Sequence, residues 1–266
     1  MTKRKPIASS NALLDDEYQD EKQRKWFAAK RKTRGGSKSP LFIFVCCLAL
    51  VTVITVIVSA AIVFTYINDL NEMRRQHASL LDLAEEVAPS ISEFDIRMRL
   101  INPDYICWIR IEGTDIDYPV VRGADNYKYL DTSFYGEENQ FGTLFMDYRC
   151  VGEYVPHIII YGHNTRYGDM FSELHKFLDA RFLAEHSIIT VKVNDRIVEY
   201  EIFSARKTDV SDPAYHLDFS APGSFRAFAE RTGAPSDAKQ IITLSTCVSG
   251  DNADERVVVQ GAFFDL

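Results

Sequence analysis

Apolar and polar positions change rhythm twice along this chain. From Leu41 to Ile67 runs "LFIFVCCLALVTVITVIVSAAIVFTYI", 27 residues without a charge. From 68 to 100 the apolar residues Leu70, Met73, Leu80, Leu81, Leu83 and Val87 recur at near-helical intervals, and Pro89 breaks the run. "SEFDIRMRLI" (92–101) then starts on an N-cap-like Ser92 and predicts a second short helix ending before Asn102-Pro103. From Tyr105 onward the pattern becomes short runs separated by turns: "CWIRI", "IDYPVV", "GTLFMD", "HIIIYG", "IITVKV", "RIVEYEIFSA", "IITLSTC" and "RVVVQGAFF". "EGTD" and "VND" read as turns, the second as a hairpin, and Pro119 places its strand at an edge or bulge. Two helical pieces interrupt at 168–186 and 220–233, where Ser224 is a cap candidate and Gly233 a stop. Many short strands predict a mainly β domain with added helices (α+β), a barrel or a sandwich.

The uncharged run reaches about 40 Å as a helix, against a hydrocarbon core of about 30 Å, so it predicts a membrane span with some tilt. A cleavable signal peptide has a shorter apolar region near its start and a small-residue site after it. Here 40 residues come first, and the small cluster Ser59-Ala60-Ala61 lies inside the run, which favours an uncleaved signal-anchor. Charge is split around it. Residues 1–40 hold 11 Lys/Arg and 5 Asp/Glu, a net +6, so a total of −8 leaves −14 on the remainder. Basic flanks stay in the cytoplasm. "AAKRKTRGGSK" before the span and "NDLNEM" after it therefore predict a cytoplasmic N-terminus and an extracellular body. The expected organisation is a basic tail (1–40), a transmembrane signal-anchor (41–67), a helical stalk (68–101) and a β-domain (102–266). The tail's partner is the lipid bilayer rather than nucleic acid, since it lacks interleaved aromatics and a folded motif.

Cysteine usage narrows the chemistry. Cys46 and Cys47 lie in the span, and Cys107, Cys150 and Cys247 remain outside, an odd number. Whether Cys107 and Cys150 pair is open from sequence. Cys247 ends the strand-like "IITLSTC", as a small buried hydrophobe or as a nucleophile. A reactive thiol needs a positive neighbour, a base or acid, and a group to hold an oxyanion. His163 follows "HIIIYG" and stands to its strand as Cys247 stands to its own, with Gly162 letting the backbone turn; the bland alternative is a turn histidine. Arg256 opens the last strand after a short loop, so a hairpin would bring it beside Cys247; the alternative is an ion pair with Asp254 or Glu255. No zinc-type motif such as HExxH links His157, His163, His175 and His186, and no metal or cofactor is expected.

"YGHN" (161–164), "TLSTC" (243–247) and "RVVV" (256–259), in that order, resemble the sortases. "NPDYICWIRIEGTDIDYPVV" (102–121), "NYKYL" (126–130), "GTLFMDYR" (142–149) and the helical insertion at 220–233 look most like class B. The resemblance covers about 102–266 and extends to the anchor topology. It implies an eight-stranded sortase-type β-barrel and a cysteine transpeptidase of the peptidase-type hydrolases. Cys247 would be the nucleophile, His163 the general acid/base, and Arg256 the oxyanion and substrate clamp. The resemblance further suggests Ser245, Leu130 and Tyr215 as substrate-groove residues, with Asn126 as a polar support among the substrate-binding positions. Its implied partners are secreted proteins bearing a sorting signal, and an amine on a lipid II-type cell-wall precursor or a pilin lysine. A cysteine peptidase using water as acceptor would carry the same residues.

Overall fold

In the computed structural model, residues 20–30, 39–86, 91–152, 155–247 and 254–264 are described. Most of the basic tail, Val87 and Pro89 lie outside them. Contacts divide the chain into a unit up to Ile62 and a unit from Val63 onward.

The first unit holds a helix α1 (20–30) and the start of α2 (Pro40–Glu86). The side chain of Ser39 accepts from the Phe42 N–H at 3.2 Å, and Pro40 takes the first helical position, where its missing N–H loses nothing. Among the described residues, α2 is the one helix long and apolar enough to cross a membrane. It runs without interruption through the expected boundary at 67/68, because no breaker separates the uncharged run from the amphipathic stretch after it.

In the second unit the rest of α2 lays Leu70, Met73 and Leu80 onto the β-domain, all buried. Its polar face is tied down as well. Arg74 donates twice to Asp169 (3.1 and 3.0 Å), and His77 stacks on Tyr118 with ring centroids 4.0 Å apart. Helix α3 (Ile91–Ile101) buries Phe94 and Met98 in a cluster with Tyr105 and Trp108. It starts at Ile91, so Ser92 lies inside it and is not the cap.

The eight alternating runs are the eight strands: β1 (Tyr105–Ile111), β2 (Asp117–Val121), β3 (Leu144–Met146), β4 (His157–Tyr161), β5 (Ile188–Val193), β6 (Arg196–Asp209), β7 (Gln240–Cys247) and β8 (Glu255–Phe263). They close into a barrel in the order β1-β2-β3-β4-β7-β8-β6-β5. Closure removes every sheet edge. One face of each strand fills the interior with residues such as Ile109, Ile160, Val191, Ile242, Leu244 and Val259. Pro119 pairs with Trp108 of β1, while β3 reaches only Val120 and Val121; the missing N–H falls beyond the β3 ladder. Asn194 and Asp195, both at positive φ (48° and 65°), make the tight hairpin turn between β5 and β6.

The 168–186 stretch is two elements, a 3-10 helix (Ser172–Leu178) and α4 (Ala180–Glu185). They are separated because Asp179 caps the second by accepting from the Arg181 and Phe182 N–H groups. Helix α5 (Ser224–Thr232) ends on Gly233 as expected. Its N-cap is Gly223, and Ser224 turns its hydroxyl back to the Ala221 carbonyl instead. Phe228 of α5 covers the outer face of the barrel at Ile241.

Candidate active site

Strand pairing assembles the site. β4 and β7 are parallel neighbours, in register from His157↔Ile241 to Tyr161↔Ser245. Parallel neighbours end on the same rim, so the chain leaves β4 toward His163 where β7 closes on Cys247. The Gly162 N–H donates to the Ser245 carbonyl at 3.1 Å and extends that pairing one residue further. β8 returns antiparallel with Cys247 opposite Arg256. Three adjacent strands thus deliver Cys247, His163 and Arg256 to one rim. Gly162 is needed there for space and not for a turn: a Cβ would stand 2.3 Å from Leu144 Cδ2 and 2.7 Å from Phe171 Cδ2.

A groove of about 360 Å³ runs along this rim. It is lined by His163, Arg256, Ser245, Leu130, Asn126 and Tyr215, and by Phe145, Arg149, Tyr161, Val210 and Thr246, which sequence reasoning did not single out. His163 Nε2 lies 2.7 Å from the Leu130 carbonyl oxygen. Arg256 is half-buried, and its Nη1 donates to the Glu255 carbonyl at 3.0 Å. Ser245 and Tyr215 share a hydroxyl–hydroxyl bond of 2.8 Å, and the Tyr215 ring lies parallel to Tyr161 at 6.5 Å. This bond holds the segment after β6 against β7, and so forms the groove wall. Thr246 Oγ1 is buried with no partner among the described residues.

Asp147 lies behind the groove lining and ties together three of its residues, Arg149, Asn126 and Tyr161. Its side chain is fully buried, yet it accepts from Arg149 Nε and Nη2 (2.9 and 2.8 Å), Asn126 Nδ2 (3.0 Å) and the Tyr161 hydroxyl (3.0 Å). Burial alone would push its carboxyl up. The Arg149 side chain and N–H, with Asn126 and Tyr161, hold it below the usual carboxylate range. Arg149 is pushed up in turn by its bonds to Asp147, and burial pushes Tyr161 up. Asn126 is therefore a support rather than a free side chain, since its Oδ1 also accepts from the Tyr148 N–H at 3.0 Å. Asp147, Arg149 and Tyr161 stood inside "GTLFMDYR" and "YGHN"; an acid and a base two residues apart beside an apolar strand were the available signal.

The other thiols and histidines take separate places. Cys107 and Cys150 are both free and buried, and burial pushes them up to about 12 and about 11. His157 lies under Phe228, bonded to the His216 carbonyl and to Thr243, and His175 bonds Asn164. Among the described residues no three His, Cys, Asp or Glu side chains converge to hold a metal ion.

The family model of the sortase domain matches residues 109–263. Sortase B of Staphylococcus aureus is 30% identical over 228 residues, covering 79% of this chain and 92% of the relative. The chain belongs to the sortase family, class B. Sortases are cysteine transpeptidases, and the barrel is theirs. A mutant form of Clostridium perfringens sortase B superposes with a TM-score of 0.65 at 28% identity, covering 72% of this chain and 98% of that one. The Staphylococcus aureus sortase B–substrate complex gives 0.64 at 26% identity, covering 74% and 98%.

Proposed function

We propose that this sortase cleaves a C-terminal sorting signal of secreted proteins, of LPXTG- or NPQTN-like type, and transfers them to an amine of the cell-wall precursor. The observation that carries this reading is the convergence of β4, β7 and β8, which brings His163 and Arg256 to one groove with Cys247 paired opposite Arg256. The Cys247 thiolate attacks the carbonyl carbon of the signal's threonine. Arg256, always charged and rich in donors, holds the oxyanion that forms. The peptide C–N bond breaks as protonated His163 gives its proton to the departing amine, leaving a thioester on Cys247. An acceptor amine then attacks the thioester, His163 takes the proton released, and the thiolate leaves. Ser245, Tyr215 and Leu130 hold the peptide in the groove, and Asn126 supports its wall.

A substrate complex of the Staphylococcus aureus sortase B has been solved, which supports a sorting-signal substrate for this relative of it. The domain organisation follows the same logic: a basic tail to residue 40 on the cytoplasmic face, a signal-anchor over 41–67, a stalk over 68–101 and the catalytic barrel from 102 on the extracellular face. The Lys/Arg bias of residues 1–40 supports that orientation.

The test is Cys247→Ala, His163→Ala and Arg256→Ala in the full chain, each assayed on a fluorogenic sorting peptide with and without an added amine. The reading expects loss of cleavage in all three and amine-dependent ligation by the wild type. Wild-type cleavage by Cys247→Ala overturns the assignment. Cleavage without any amide product assigns water as the acceptor.

A further inference from the structure

The motif "GTLFMDYR" lies outside the Cys/His/Arg set, yet its first residue reaches the site. Gly142 has φ +58 and packs against the end of the 3-10 turn Lys128–Leu130. A Cβ on it would stand 2.3 Å from the Tyr129 carbonyl oxygen and 2.7 Å from the Leu130 carbonyl oxygen. Backbone bonds lock this approach: Thr143 N–H donates to Tyr129 O at 3.1 Å and Gly142 N–H to Asn139 O at 2.9 Å. Carbonyls at the end of a helical turn have no intrahelical partner. The Leu130 carbonyl finds one in His163 Nε2, 2.7 Å away. A carbonyl oxygen only accepts, so Nε2 carries the hydrogen of this bond.

The geometry points to Gly142 as a positioning residue: it admits the Leu130 carbonyl, which pins His163 by its Nε2–H and leaves Nδ1 as the nitrogen that moves the proton. The inference rests on the acid/base role proposed for His163. In the first half-reaction the imidazolium loses the Nδ1 proton to the departing amine and becomes the neutral Nε2–H form already held by Leu130. In the second, Nδ1 takes the proton from the incoming amine. The ring need not turn between the two steps, which keeps the acid in near-attack geometry.

Gly142→Ala tests this, because its Cβ must displace the Leu130 carbonyl. Gly136→Ala is the control: Gly136 also sits at positive φ (+81), but a Cβ there meets nothing within 4 Å. Both variants pay the backbone strain; only one moves the carbonyl. In the full chain in detergent, Gly142→Ala is expected to lower kcat on a sorting peptide about 10- to 100-fold with KM little changed. Gly136→Ala is expected to keep wild-type kcat. Long-range proton–nitrogen NMR of the His-labelled wild type, with the His163 signal identified by His163→Ala, is expected to show the Nε2–H tautomer. A neutral His163 in the Nδ1–H form overturns the proposal, even where Gly142→Ala does not fold. So does a folded Gly142→Ala whose kcat matches Gly136→Ala. Full activity of His163→Ala instead overturns the acid/base role beneath it.

Discussion

Acid sensitivity of the barrel is set by His157. Its ring is buried between β7 and α5, with Nδ1–H donating to the His216 carbonyl and Nε2 accepting from the Thr243 hydroxyl, each at 2.8 Å. Gln260 donates to the same Thr243 oxygen at 3.0 Å, so the neutral ring completes a saturated network. Burial, partly offset by the bond to His216, pushes the imidazole from 6.5 down to about 4. The folded state therefore resists the proton that the unfolded chain accepts. Stability from this group is fully present above pH 6.5 and falls as pH drops toward about 4. At about 1.36 kcal/mol per pH unit, the loss is about 2 kcal/mol at pH 5 and about 3 kcal/mol at pH 4. The carboxylates Asp104, Asp147 and Asp212 are held below their usual 3.8, so most of their stabilisation disappears below this window, and Glu72, held below 4.5 by Arg75 and Gln76, enters only at its acid end. Urea unfolding of the full chain in neutral detergent, followed by the fluorescence of buried Trp108, reads the change. His157→Gln should flatten the profile between pH 6.5 and 4. Equal slopes in wild type and variant would refute the reasoning.

Other expectations concern the groove and the thiols. Asp147→Asn keeps the shape but removes the charge facing Arg149; it should cost about 1–3 kcal/mol in denaturant unfolding and lower kcat/KM on a sorting peptide. Gly162→Ala forces Leu144 and Phe171 aside and should cost about 1–3 kcal/mol in the same unfolding assay. Native chain treated with a maleimide at neutral pH should leave Cys107 and Cys150 unmodified by peptide mass mapping until urea is added, because both are buried thiols pushed up to about 12 and about 11.

The strands were legible because period-two alternation and turn residues coincide; "IITVKV" and "VND" give β5 and its turn almost residue for residue. The hairpin of Cys247 and Arg256 was legible because a short loop leaves adjacent strands little choice. Helix ends were harder. Ser92 and Ser224 are good capping residues that the backbone did not use, since starts at Ile91 and after Gly223 fit the packing of Phe94 and Phe228. The parallel pairing of β4 with β7 joins residues more than 80 positions apart, and no local pattern encodes it. Only the family resemblance supplied that neighbourhood. Asp147 escaped notice because a fully buried carboxylate is visible only with its donors from β4 and from the loop after β2.

The central claim is that Cys247 forms a thioester with the peptide and surrenders it to an amine. Intact-mass measurement of the full chain mixed with a sorting peptide tests it most directly. The account predicts an added acyl mass that maps to Cys247, is absent in Cys247→Ala, and is discharged on adding an amine with the matching amide appearing in solution. Peptide turnover with no acyl mass on Cys247 would contradict it.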